Sequence, residues 1–275
     1  MLPGYQLLHR LSRSSSVTDV WSARRVEDGA LVALKGLTDA GRGREDLAHR
    51  FHAEGELLVR LGGRHGLIGC SLAVDEPPVL VLELAEGGSV RDLIRSGGGA
   101  SAPLAVPTVL RLAQQMVTAL AWLHHNGVVH RDVKPGNILL MADGTWRLAD
   151  LGVAAQGTPC RGLPAGWIEE EVGTLGYAAP ELLRDASAAT PTLDVYGLGV
   201  ALYEMLSGRL PFDLGPDEND SALRNRIAGG ESPVPLEERG RAPGGLARAV
   251  MQAIAPEPGE RFSTMAEFAA RLNAR

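Results

Sequence analysis

The stretch His130-Arg131-Asp132-Val133-Lys134-Pro135-Gly136-Asn137 sets a carboxylate, an ammonium and an amide close together in the chain. Those are the groups that phosphoryl transfer uses: a carboxylate to orient a hydroxyl nucleophile, a cation for the γ-phosphate, and an oxygen ligand for Mg²⁺. The three side chains can act together only if the segments around them form elements that hold them still.

The pattern around the stretch supplies such elements. Residues 107–126 are apolar with helical period, with Pro107 near the start and Asn126-Gly127 at the end. After the stretch, Ile138-Leu139-Leu140 and Trp146-Arg147-Leu148 flank Asp143-Gly144, which predicts a hairpin. Upstream, residues 5–36 alternate as short strands; Val20-Trp21-Ser22-Ala23 and Leu31-Val32-Ala33-Leu34-Lys35 are the clearest pair, joined by turn residues Glu27-Asp28-Gly29. A helix is predicted from Glu45 to Leu61, with Leu47, Phe51, Leu57, Leu58 and Leu61 on one side and Gly62-Gly63 as its stop. Val79-Leu80-Val81-Leu82 reads as a buried strand, and Glu86-Gly87-Gly88 as a linker. Residues 153–172 are irregular, which in a compact domain marks a functional or mobile loop. Helices follow over Leu193–Ser207, Ser221–Ala228, Gly245–Ala255 and Ser263–Ala274.

Composition narrows the class. A chain of 275 residues can form one large domain or two lobes sharing a cleft, and 45% hydrophobic with 22% charged residues is ordinary for a globular protein. A net charge of −6 argues against nucleic acid as a partner. Cys70 and Cys160 have no ligand-spaced neighbours, which excludes a zinc motif and a disulfide framework and fits a reducing cytoplasm. The N-terminus lacks signal-peptide character, and no apolar run approaches the ~20 residues of a membrane helix, so a soluble cytoplasmic protein is expected.

The motifs together resemble a Hanks-type (eukaryotic-like) serine/threonine protein kinase of bacterial kind, over nearly the whole chain. The resemblance implies an α+β bilobal fold: a small, mainly antiparallel N-lobe with one regulatory helix (1–86) and a larger, mainly helical C-lobe (87–275), together one kinase domain. It implies that Lys35 binds the α- and β-phosphates and that Glu54, nineteen residues on, is the partner that aims it. Asp132 becomes the catalytic base or the group orienting the substrate hydroxyl, and Lys134 the serine/threonine-type cation. Asn137 and Asp150, the latter in Asp150-Leu151-Gly152, become the ligands of Mg²⁺, with Mn²⁺ as an alternative. Val20, Ala33 and Leu139 would enclose the adenine of ATP, Glu83 and Ala85 would offer backbone groups to its edge, and Leu82 would be the gatekeeper. Gly173-Thr174 through Ala179-Pro180-Glu181 resembles the segment that receives the peptide; Asp194 opens the central helix, and Arg261 pairs with Glu181. The implied partners are ATP and a protein with a Ser/Thr acceptor. A homodimer is compatible with bacterial relatives, which pair through their N-lobes.

Two departures stand out. The phosphate-covering loop reads Leu11-Ser12-Arg13-Ser14-Ser15-Ser16-Val17-Thr18-Asp19-Val20 and contains none of the family's glycines. Serines restrict the backbone approach that glycines allow, although their hydroxyls, Ser12 among them, can donate to phosphate oxygens, and Asp19 adds a negative charge. Weaker nucleotide affinity or slower turnover is expected. Where many relatives carry a phosphothreonine, this chain has Glu170 within Glu169-Glu170-Glu171, a candidate partner for Arg131; Thr158 is the only hydroxyl residue between Gly152 and Gly173. An active kinase is the leading reading. A pseudokinase scaffold and a small-molecule kinase are the alternatives.

Overall fold

The structure is a computed structural model that describes residues 2–13, 17–75, 78–95, 102–156, 175–215, 218–239 and 242–273. The chain divides into two compact units, one of Met1–Gly88 with Leu139–Val153 and a second of Ser89–Ile138 with Ala154–Arg275. The first break falls two residues after the expected boundary at 86/87. The return of 139–153 to the first unit departs from the contiguous division read from sequence.

The first unit is a five-stranded antiparallel sheet in the order β1-β2-β3-β5-β4. Its strands are β1 (Tyr5–Arg13), β2 (Thr18–Arg25), β3 (Leu31–Leu37), β4 (Cys70–Asp75) and β5 (Pro78–Glu83). Gly29 makes the β2–β3 turn with φ +74°, a conformation that suits a residue without Cβ. Ala23, Val32, Leu34 and Val81 form an apolar cluster in this unit. Between β3 and β4 run a short helix, α1 (Asp39–Arg42), and the longer α2 (Glu45–Leu61). At the end of α2 a Cβ on Gly62 would lie 2.4 Å from the Leu58 carbonyl oxygen and 2.5 Å from that of Ile68, so the chain turns there only because the residue is glycine. The hairpin of Ile138–Leu140 and Trp146–Leu148 lies almost wholly in this unit. Its second strand is tied in by Ile68 N–H donating to Leu148 O (2.9 Å) and Leu148 N–H donating to Gly66 O (2.7 Å).

The second unit is built on the helix Pro191–Ser207, which is buried along nearly its whole length from Leu193 to Ser207. A helix apolar on all sides must be surrounded, and this one packs against Val106–His125 and Gly244–Ala253, with Met265–Leu272 closing the layer. Two glycines let neighbours come close. A Cβ on Gly197 would lie 3.0 Å from Val133 O, and one on Gly199 2.7 Å from Ile254 Cγ2. Arg261 caps the arrangement: it holds Glu181 through two bonds (2.7 and 2.8 Å) and lies 4.7 Å over the Tyr196 ring. The short helix Val90–Arg95 and the strand pair Val128–Val129 and Ala155–Gln156 complete the parts of this unit that position its polar residues. Neither is evident in the sequence pattern, because two-residue strands and a six-residue helix are shorter than any periodicity that reveals them.

Candidate active site

Glu54 occupies a position in the apolar stripe of α2, on the same face as Phe51, Leu58 and Leu61, and is 3% exposed. A carboxylate carried into a core needs a counter-charge there. Lys35 provides it from β3: its Nζ lies 2.8 and 2.9 Å from the two Glu54 oxygens and 2.9 Å from Asp150 Oδ1. Burial opposes the Lys35 ammonium, but the charges of Asp150 and Glu54 outweigh it, and its pKa lies above the ordinary lysine value. Burial raises the Glu54 pKa, the Lys35 charge opposes that rise, and the Asp150 charge adds to it. Lys35 therefore stays protonated and is shared between two carboxylates.

Asp150 sits at φ +68°, outside the regions most side chains prefer. Its Oδ1 also accepts from Gly152 N–H at 3.3 Å. A Cβ on Gly152 would stand 3.2 Å from that oxygen and 3.4 Å from Glu54 Oε2, so the glycine after Leu151 leaves room for the charges to meet.

The sheet register places the expected nucleotide residues. Val20 stands opposite Lys35, and Ala33 opposite Leu82, so Val20, Ala33, Lys35 and Leu82 share one face; the backbone of Ser12 stands opposite Val20. Glu83 falls on the other face, opposite Val32. Its carboxylate accepts from Gly69 N–H at 2.8 Å and lies 3.5 Å from Arg147, while its own N–H donates to Gly69 O at 2.9 Å. Ala85 and Leu139 are half-buried in the same unit, and Leu140 N–H donates to Gly88 O at 2.9 Å. Asp19 is not an unmatched charge beside the loop: it forms an ion pair with Arg10 on the neighbouring strand. Ser14, Ser15 and Ser16 lie outside the described residues.

The second unit holds the other polar set. Lys134 Nζ and Asn137 Nδ2 both bond Asp132 Oδ2, at 2.9 and 2.8 Å, and Asn137 Nδ2 also donates to the Asp132 carbonyl at 2.9 Å. All three side chains are buried. These bonds use the nitrogen of the Asn137 amide and leave its oxygen as the group suited to a cation. Within the described residues no cluster of three or more His, Cys, Asp or Glu could hold a metal by itself. Mg²⁺ needs no such cage, since one or two protein oxygens with phosphate oxygens and water satisfy it. Asp150, in the first unit, and Asn137, in the second, each carry a hard oxygen of the kind that ion accepts.

What fixes the loop is Asp194, from the buried helix. Its Oδ1 accepts from Arg131 N–H (2.8 Å), and its Oδ2 accepts from His130 N–H (2.9 Å) and faces His124 Nε2 (2.7 Å). Arg131 is thereby held at φ +66°, directly before Asp132. The sequence reading placed Asp194 at the head of a scaffold helix and missed its link to the loop, as it missed His124. A signal was present: an aspartate inside the most apolar helix of a chain needs buried donors. Thr158, Glu170, Gly173 and Thr174 lie outside the described residues, and with them the pairing of Glu170 with Arg131.

A protein-family model described as "Protein kinase domain" matches residues 14–264. The chain belongs to the protein kinase family. Its curated relatives include the serine/threonine-protein kinase PknL of Mycobacterium tuberculosis, 34% identical over 81% of this chain and 53% of that protein. The serine/threonine-protein kinase PrkC of Bacillus subtilis is 29% identical over 98% of this chain and 40% of that protein. CBL-interacting protein kinase 4 of Oryza sativa subsp. japonica is 36% identical over 78% and 46%. The kinase chain thus spans about half the length of the curated relatives it matches. These relatives support the Hanks-type serine/threonine branch, and the strand-rich first unit and helical second unit fit the bilobal kinase fold. None of the described helices is long and apolar enough to cross a membrane.

Proposed function

We propose that this chain is a single kinase domain that transfers the γ-phosphate of ATP to Ser or Thr hydroxyls of proteins, its own included, in the cytoplasm where ATP is supplied. The observation that carries the reading is the meeting of Lys134 and Asn137 on one oxygen of Asp132. It supports reading Asp132 as the general base or hydroxyl-orienting carboxylate, Lys134 as the γ-phosphate cation and Asn137 as the metal-side amide, all carried by one buried loop.

In the reaction, the acceptor hydroxyl is oriented by Asp132, which takes its proton as the oxygen attacks the γ-phosphorus. The bond from that phosphorus to the β–γ bridging oxygen breaks, and ADP leaves. Lys134 offsets charge on the transferring phosphoryl group, and Lys35, aimed by Glu54, holds the α- and β-phosphates. Asp150 and Asn137 would hold Mg²⁺, which when bound neutralises the β- and γ-oxygens; Mn²⁺ has similar octahedral oxygen chemistry. Val20, Ala33 and Leu139 offer apolar surface to the adenine, and Glu83 and Ala85 backbone groups to its edge.

The test is transfer from Mg·ATP to peptides that differ only in carrying Ser, Thr or Tyr as acceptor, with EDTA as a control. Phosphoserine and phosphothreonine that depend on the metal support the reading. Nucleotide binding without transfer, or phosphotyrosine alone, overturns it.

A further inference from the structure

One cationic surface is not used by this chemistry. The helix Val90–Arg95 is anchored by buried Val90 and Ile94, and Asp92 is tied back to Ser89 (2.6 and 2.8 Å). Arg91 and Arg95, one turn apart, therefore share a face. The guanidinium of Arg91 lies across Gly136: a Cβ there would stand 3.0 Å from Arg91 Cζ, 3.1 Å from Nη2 and 3.2 Å from Nε. Gly136 is the residue between Pro135 and Asn137, so a fixed positive charge rests on the loop that carries Asp132 and Lys134. Glycine at this position is what makes room for it.

The same neighbourhood includes Tyr177 and Glu204. Tyr177 donates a hydrogen bond to Glu204. Burial raises the Glu204 pKa, while that bond and the charges of Arg91 and Arg95 pull it down. The Glu204 carboxylate is thus engaged by a hydroxyl, and the charges of both arginines act on it. Among the described residues neither arginine has an ion-pair partner within 4.0 Å. Arg91 is half-buried and Arg95 exposed, so both remain open to a ligand. Tyr177 also precedes Ala179-Pro180-Glu181, which resembles the family's peptide-receiving segment.

We infer that Arg91, backed by Arg95, selects protein substrates that carry an acidic side chain close to the acceptor hydroxyl. This rests on the kinase reading above. Gly136 lies four positions from Asp132, a span of at most ~15 Å along the backbone, and an extended peptide covers ~3.4 Å per residue. The acidic side chain therefore falls within about four residues of the acceptor. Arginine suits the task, since its planar fork meets a carboxylate with two parallel donors.

The test compares kcat/KM for peptides sharing one Ser acceptor, flanked by Asp/Glu, by neutral residues or by Lys/Arg. Wild type should prefer the acidic peptide over the neutral one by about tenfold, mostly through KM, with the preference shrinking at high salt. Arg91→Ala should bring the acidic-to-neutral ratio near one, Arg91→Lys should keep part of it, and Arg91→Glu should invert it. Matched melting temperatures would separate these effects from misfolding. A wild-type ratio near or below one, or a ratio unchanged in Arg91→Ala and Arg91→Glu, overturns the proposal. Absence of transfer to every peptide, with no autophosphorylation, overturns the proposed function and this inference with it.

Discussion

The two polar clusters are built on opposite principles. Lys35, Glu54 and Asp150 come from a strand, a helix and the segment just after a hairpin, with sequence separations of 19 and 115 between Lys35 and its two partners. Their meeting depends on α2 and the hairpin both docking correctly, and charge is the attraction that holds them. Asp132, Lys134 and Asn137 are near neighbours in sequence, and their geometry is set by a carboxylate from a helix that does not move without unfolding the core. The first cluster can be broken by displacing one element. The second is broken only by damaging the fold. In a phosphoryl-transfer site the first arrangement lends itself to control and the second to precise positioning.

The contrast predicts where stability and activity part company. The largest effect is expected from Asp194→Ala, which strips the acceptor from two buried backbone N–H groups and from His124. Loss of about 3–5 kcal/mol of stability is expected, together with activity, and thermal or denaturant unfolding measures it. An Asp194→Ala protein that melts like wild type would erase the distinction between the clusters.

Asp132→Asn should separate the two properties. Turnover should fall by about 10²–10⁴-fold with a smaller loss of stability than Asp194→Ala, since an amide of equal size keeps an oxygen facing Lys134 and Asn137 but removes the counter-charge of Lys134. Steady-state kinetics beside calorimetry reads both.

In the charge-held cluster, Lys35→Met leaves Glu54 buried beside Asp150 without its cation. Burial already raises the Glu54 pKa above its ordinary 4.5, and loss of Lys35 raises it further. A carboxyl whose folded pKa lies above its unfolded value stabilises the fold fully below the unfolded value and loses that contribution as pH rises through the folded one. The variant should therefore approach wild-type stability near pH 4 and fall behind at neutral pH. Denaturant midpoints across pH test this, and an equal deficit at every pH would refute the shared-charge account.

The smallest effect belongs to the surface. Arg239 holds the Asp213 carboxyl below its ordinary pKa of 3.8, and Arg226 does the same for Glu231, ordinarily 4.5. Depressed carboxyls lose their stabilising contribution as pH falls through the folded pKa, so Asp213→Asn should cost a small amount of stability at pH 7 that disappears in acid, which flattens acid unfolding below about pH 4.

The local cluster was the more legible in sequence, because its residues stand together and the apolar segments beside them have clear periods. Lys35 and Glu54 were legible through the resemblance, and α2 through its stripe of Phe51, Leu58 and Leu61. Glu54 lying in that stripe says why it is buried, a point that spacing alone did not raise. Other features were out of reach. The return of 139–153 to the first unit depends on hydrogen bonds from Leu148 to the backbone around Gly66, and backbone pairing between distant segments leaves no residue-type trace. Asp19 read as an isolated charge until the register of β1 and β2 set Arg10 beside it. The short helix bearing Arg91 was hidden behind Gly87-Gly88, which reads as a linker.

The most direct test of the account is intact-mass analysis of the purified chain after incubation with Mg·ATP, beside Asp132→Asn. Mass gains in steps of one phosphate in the wild type, absent from the variant, are the predicted result. The same gains in both proteins, or none in a wild type shown to bind ATP, would contradict the claim that the Asp132 loop performs phosphoryl transfer.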